Sequence, residues 1–124
     1  MLRYRRDIQT VAFMALTTGL LVVQWQRESW SPWLWFASLW MGLTVAVMTH
    51  NHNHVRTWTA AWMNRLHDWW LTVFYGFPVF AWVPTHNKNH HKFNNREGDH
   101  TIWYRHSERN NAVTLLSYPA ISSW

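Results

Sequence analysis

Two histidine clusters carry the chemistry this chain could perform. His50-Asn-His-Asn-His54 is an H-x3-H box, and His86-Asn-Lys-Asn-His90-His91 is an H-x3-H-H box. Neutral imidazole is the commonest metal-ligating side chain near physiological pH. Histidines at i and i+4 share one face of an α-helix, so the i,i+4 pair of each box is expected to close on one ion. The candidate metal ligands are therefore His50, His54, His86, His90 and His91. His52 lies roughly opposite His50 on a helix and is not expected on the same ion. The interleaved Asn51, Asn53, Asn87 and Asn89 are expected to orient imidazoles by bonding the second ring nitrogen. An all-nitrogen donor set suits iron, copper or zinc rather than magnesium or calcium. His67, His100 and His106 stand alone in polar surroundings and are expected at the surface or an interface.

Both boxes sit at the ends of apolar runs, and these runs must position them. Residues 8–25 carry no charge and, at about 1.5 Å per residue, reach roughly 27 Å as a helix, close to one hydrocarbon core. Residues 32–49 form a second uncharged run of similar length, with Pro32 suited to a first helical turn. Together they predict a transmembrane helical hairpin. The first run begins after basic residues but has no convincing small-residue cleavage site, so a retained anchor is expected. Arg27 is alone in the connection, so ten of the eleven basic residues fall on the other side, with Arg3, Arg5, Arg6 and the residues from Arg56 to Arg109. The positive-inside rule assigns that side, which holds the N-terminus and the first box, to the cytoplasm.

Over 55–70 an interfacial helix is expected, because Trp58, Trp62, Leu66, Trp69 and Val73 recur at helical spacing. The run from Leu71 to Val83 is short and broken by Gly76 and Pro78, which suggests a re-entrant or interfacial segment over 55–84 rather than a third span. A full crossing there would part the two boxes by a bilayer. Residues 85–111 read as a polar cytoplasmic region with turn chemistry at Asn94, Asn95, Gly98 and Asp99.

Composition narrows the class. With no cysteine, disulfides, thiolate-bound zinc and iron–sulfur clusters are excluded. Twelve Trp residues exceed what a soluble domain of 124 residues needs, and Trp favours the zone where a membrane meets water. The mean hydropathy of −0.30 looks soluble, but that scale treats Trp as polar, and the His- and Asn-rich second half dilutes the average. The expected fold class is all-α and integral to a membrane, in a single domain: a two-helix transmembrane hairpin, an interfacial or re-entrant segment, and a His-rich cytoplasmic region. Membrane lipid is the expected partner, and nucleic acid is not.

The order of two spans, H-x3-H, about thirty residues with an interfacial stretch, and H-x3-H-H resembles the membrane fatty acid desaturase and hydroxylase family. The string Thr85-His-Asn-Lys-Asn-His-His-Lys-Phe-Asn-Asn-Arg-Glu-Gly-Asp-His-Thr101 is similar to bacterial acyl-chain desaturases, down to Gly98, Asp99 and Thr101. The resemblance covers most of this chain but about the first half of a family member. It implies a bacterial inner membrane and two non-haem irons held by three His boxes under a cytoplasmic cap. It also implies an acyl-lipid substrate, with dioxygen and a small redox protein as co-reactants. On that likeness His50 and His54 are first-box ligands, and His86, His90 and His91 second-box ligands.

The family's third box is absent from these residues, so this chain alone is expected to be inactive as a desaturase. Two alternatives stay open beside an enzyme completed elsewhere. One is a non-catalytic structural subunit of a larger respiratory or photosynthetic membrane complex. The other is a small metal- or lipid-binding membrane module.

Overall fold

A computed structural model of the chain describes residues 1–102, 107–109 and 111–122, with side chains up to 118. His106 lies outside the described residues. Those residues are helical, apart from loops and one antiparallel bridge between Leu2 and Trp58. The chain divides into two compact units, Met1–Phe80 and Ala81–Trp124.

The first unit is built on a hairpin of α1 (Ile8–Gln26) and α2 (Pro32–His54). A short 3-10 turn, Arg5–Asp7, leads into α1, and the Asp7 carboxylate accepts the Tyr4 backbone N–H at 3.1 Å. Ser31 caps α2 by accepting from the Leu34 N–H, and Pro32 opens its first turn, where a missing N–H costs nothing. Both helices are long and apolar enough to cross a membrane. Their outward faces carry exposed Leu16, Leu21, Val22, Leu39, Trp40 and Leu43, the reverse of a water-soluble bundle. Between them, the Gln24 side-chain amide donates to Ser38 Oγ, a polar clasp of the kind that joins helices in lipid.

The first box lies inside α2 rather than beyond it: the helix runs five residues past the apolar run, to His54. Residues 55–60 are not helical. They pair with the N-terminal residues through Arg3 N–H to Thr57 O (2.8 Å) and Thr59 N–H to Met1 O (3.1 Å), and Arg3 Nε donates to Arg56 O. The N-terminus and the first box therefore share one end of the hairpin.

Helix α3 (Ala61–Tyr75) starts later than the sequence pattern suggests, leaving Trp58 outside it. The Asn64 amide clamps both backbone groups of Trp58 and fixes the turn. Packed against α1 and α2, α3 buries His67 and Leu71, and Trp70 Nε1 donates to Thr18 Oγ1 at 3.0 Å. Phe74 shares a cleft with Leu20, Leu21 and Gln24, far along α1. The helix stops at Gly76, whose φ of 74° is a left-handed cap that favours glycine. The chain then doubles back: Val79 donates its N–H to Thr72 Oγ1 and packs with Val45, Met48 and Leu71 in the core. Trp62, Leu66, Trp69 and Val73 remain exposed as one stripe on the opposite face.

The second unit opens with a 3-10 turn (Val79–Ala81) carried over from the first, then a π-helix, Val83–His90, and a single α turn, α4 (His91–Phe93). Asn94 and Asn95 take positive φ, and Gly98 has φ 95°. A Cβ at Gly98 would sit 2.9 Å from the Phe93 ring, so only glycine fits that turn. Asn111 Oδ1 caps α5 (Ala112–Ser122) through the Thr114 N–H, and Tyr118 donates to Thr101 O.

Candidate metal centre

In the first box, the α-helical pitch does what the spacing requires. His50 and His54 lie one turn apart on α2, with Nε2 atoms 3.2 Å from each other. Two nitrogens bound at about 2.0–2.1 Å to one tetrahedral ion are separated by roughly 3.3 Å. The pair therefore has the spacing of two ligands on one ion.

His52 points the other way. It continues the buried face of α2 formed by Met41, Val45 and Met48 and is 1% exposed. The Thr57 backbone N–H donates to its Nδ1 at 3.3 Å, and Thr57 Oγ1 lies 2.8 Å from the same atom. A nitrogen that accepts a backbone N–H carries no proton, so the proton sits on Nε2, 3.2 Å from Asp68 Oδ1. Arg56 Nη1 binds the same carboxylate oxygen at 2.6 Å. Burial pushes the Asp68 carboxyl up, but the His52 hydrogen bond and the Arg56 charge outweigh it and hold the carboxyl below its ordinary range. With its proton on Nε2 toward Asp68 and Nδ1 taken by the Thr57 N–H, His52 turns away from His50, as expected of a residue on the opposite side of the helix.

His67 overturns an expectation. It lies not at the surface but buried at 1% exposure, its ring 4.2 Å from the His52 ring and facing Trp58 edge-on. The reason is helical register: His67 sits beside Leu71 on the packed face of α3. Burial, then the neighbouring His52, drive its pKa down to about 4; Asp68 opposes the shift and Arg56 adds to it. The imidazole is neutral, and neither ring nitrogen has a hydrogen-bond partner.

The second box pairs differently from the sequence expectation. In the π-helix the His91 N–H bonds to His86 O, an i→i−5 step, so i and i+5 come into register. His86 therefore faces His91, with Nε2 atoms 3.3 Å apart, while His90 stacks beside His86 at 5.4 Å between ring centroids. His90 turns its Nδ1 to Asp99 Oδ2 at 2.8 Å and to Thr101 Oγ1 at 2.9 Å. A carboxylate can only accept, so Nδ1 carries the proton and Nε2 keeps its lone pair. That is the arrangement in which a carboxylate orients a metal-ligating imidazole.

Asp99 is the hub of this unit. Fully buried, it accepts from the Asn95 and Thr101 backbone N–H groups, each at 2.8 Å, and from Thr101 Oγ1 at 2.7 Å. Burial would raise its pKa, but these donors and His90 hold the carboxyl well below the usual range. Asn89 does not orient an imidazole: its amide donates to Gly98 O and accepts the His100 N–H, closing the loop that presents Asp99. Asn53 Nδ2 donates to Thr49 O, within its own helix. His100 is exposed, as expected.

Two facing pairs thus have the spacing of two ligands on one ion, His50 with His54 and His86 with His91. The sequence pattern does not show the His52–Asp68–Arg56 network or the buried His67, and it gives Asp99 turn chemistry and a place in the family-like string but not its hold on His90. One signal for His52 was present, since it falls in step with Met41, Val45 and Met48. No protein-family model, curated protein or solved structure matches this chain.

Proposed function

We propose that this chain is a desaturase-like membrane protein whose two histidine sets bind iron. The observation that carries the reading is the convergence of Nε2 atoms in both sets, at 3.2 Å and 3.3 Å, each with the spacing of two ligands on one ion. The Asp99-oriented His90 supports it, because a carboxylate behind an imidazole is expected of a ligand. The reversal at Gly76, which brings Val79 back to Val45 and Met48 near the first box, supports a re-entrant segment rather than a third crossing. The hairpin supplies the membrane anchor, with the N-terminus and boxes on the cytoplasmic side of a bacterial inner membrane.

In this reading the protein's residues bind and orient. Asp99 and Thr101 fix the His90 tautomer; the helical pitches aim His50 at His54 and His86 at His91. Bound non-haem iron would supply the oxidising power for removing hydrogen from an acyl chain, with dioxygen and a redox partner as co-reactants. The likeness also assigns the family a third box that these residues do not contain, so the binding reading is narrower than an activity.

A second reading is a structural subunit of a larger membrane complex. It is favoured by the exposed stripe of Trp62, Leu66, Trp69 and Val73, a face shaped for lipid or a neighbouring helix. In it, each close imidazole pair is an N–H···N hydrogen bond. Elemental analysis of the full chain, purified from iron-supplemented cells in mild detergent, separates the two. Metal at one ion or more per chain supports the first reading; a chain free of iron, copper and zinc after anaerobic iron loading contradicts it.

A further inference from the structure

Away from the box histidines, α1 and α3 enclose a cleft of roughly 280 Å³, walled by Met14, Trp58, Trp62, Met63 and Trp70 and floored by His67. Its walls are apolar faces. The one polar group of Trp70, its indole N–H, is already given to Thr18 Oγ1. His67 is the exception: it is 1% exposed, and both ring nitrogens lack a partner. A buried imidazole left this way is costly, and native structures rarely leave such a group unmatched without reason. The lining includes Met14, inside the apolar run of α1, and the exposed Trp62 and Leu66 of α3, so in the membrane reading lipid is the ligand at hand.

We propose that this cleft binds a neutral lipid whose polar end is a single hydroxyl group, with the hydroxyl on His67 and the chain against the three indoles. A neutral imidazole offers one N–H and one bare nitrogen. A hydroxyl can serve either, whichever tautomer is present; a carbonyl can serve only the N–H, and a hydrocarbon neither. A carboxylate is disfavoured because the imidazole does not charge: its pKa lies near 4, and burial penalises the ion pair. None of these residues is a box histidine, so the inference stands or falls separately from metal binding.

The test uses the full chain in lipid nanodiscs and three probes carrying the same mid-chain diazirine: hexadecanol, hexadecane and hexadecanoic acid. After photolysis, labelled peptides are mapped by mass spectrometry. Hexadecanol is expected to label Met14, Met63 or Leu66 about fivefold more than hexadecane, the ratio one net hydrogen bond sustains. Unlabelled hexadecanol is expected to compete and unlabelled hexadecane to compete poorly. His67→Phe is expected to lower alcohol labelling to the alkane level, whereas His67→Asn, which keeps a donor and an acceptor, retains it. Equal labelling of the wild-type chain by alcohol and alkane overturns the proposal, as does stronger labelling by the acid. Those two outcomes need no variant and so do not depend on whether His67→Phe folds.

Discussion

The two histidine boxes use the same parts in opposite senses. Each has a facing pair of imidazoles and a third imidazole held by a threonine and an aspartate: His52 by Thr57 and Asp68, His90 by Thr101 and Asp99. In the first box Nδ1 accepts a backbone N–H, which puts the proton on Nε2 and closes the ring to metal. In the second, Nδ1 donates to a carboxylate, which leaves Nε2 open. The same residue types thus build a structural histidine in one place and an oriented candidate ligand in the other. Helix pitch makes the companion choice, pairing i with i+4 in α2 and i with i+5 in the π-helix.

This contrast can be broken most severely at the two aspartates. Asp99→Ala leaves the Asn95 and Thr101 N–H groups and the His90 ring unmatched in a buried loop, an expected loss of roughly 3 kcal/mol. Urea unfolding in detergent micelles, followed by near-ultraviolet circular dichroism, measures it. Asp68→Ala should cost less, because that carboxylate is partly exposed.

A milder change sharpens the comparison. Asp99→Asn is nearly isosteric but can no longer accept from all its donors or hold the His90 tautomer. Metal affinity should fall by about 10–100-fold, the usual size for losing such an orienting carboxylate. Competition with a chelator of known affinity reads the change. Asp68→Asn should leave the affinity near wild type, because the Asp68 carboxylate meets His52 and Arg56, neither of them a candidate ligand.

Between pH 6.5 and 4 the pH response should come mainly from the first unit. His67 has a folded pKa near 4 against an ordinary 6.5, so between these values the unfolded chain binds the extra proton. The stabilising contribution is complete above pH 6.5 and is lost as pH falls toward 4, by up to about 3 kcal/mol. Unfolding free energies measured across that range should show this slope in the wild type and a shallower one in His67→Gln. The smallest effect is expected at Arg3→Ala, which removes one exposed bond to Arg56 O and should cost about 0.5 kcal/mol in the same urea assay.

How much of this was legible depends on the scale of the interaction. The hairpin follows from two uncharged runs and a proline, and α1 and α2 begin where those runs begin. The outward stripe on α3 follows from the spacing of Trp62, Leu66, Trp69 and Val73. The π-helix was not legible, because a period-3.6 reading of His86 and His90 fits as well as the i,i+5 pairing that forms. His67 was misread because its chain neighbours, Asp68 and Arg65, are polar, while its burial comes from the register shared with Leu71. Asp99 resembled an ordinary turn residue; its role needs Asn89, Asn95 and Thr101 to fold around it.

The most direct measurement is anaerobic iron titration of the full chain in micelles, comparing wild type with His54→Gln, His91→Gln and His52→Gln. The account predicts that wild type takes up iron, that His54→Gln and His91→Gln each lose binding at their own set, and that His52→Gln keeps the wild-type stoichiometry while unfolding more easily. It is contradicted if wild type binds no metal, or if His52→Gln removes as much iron as His54→Gln.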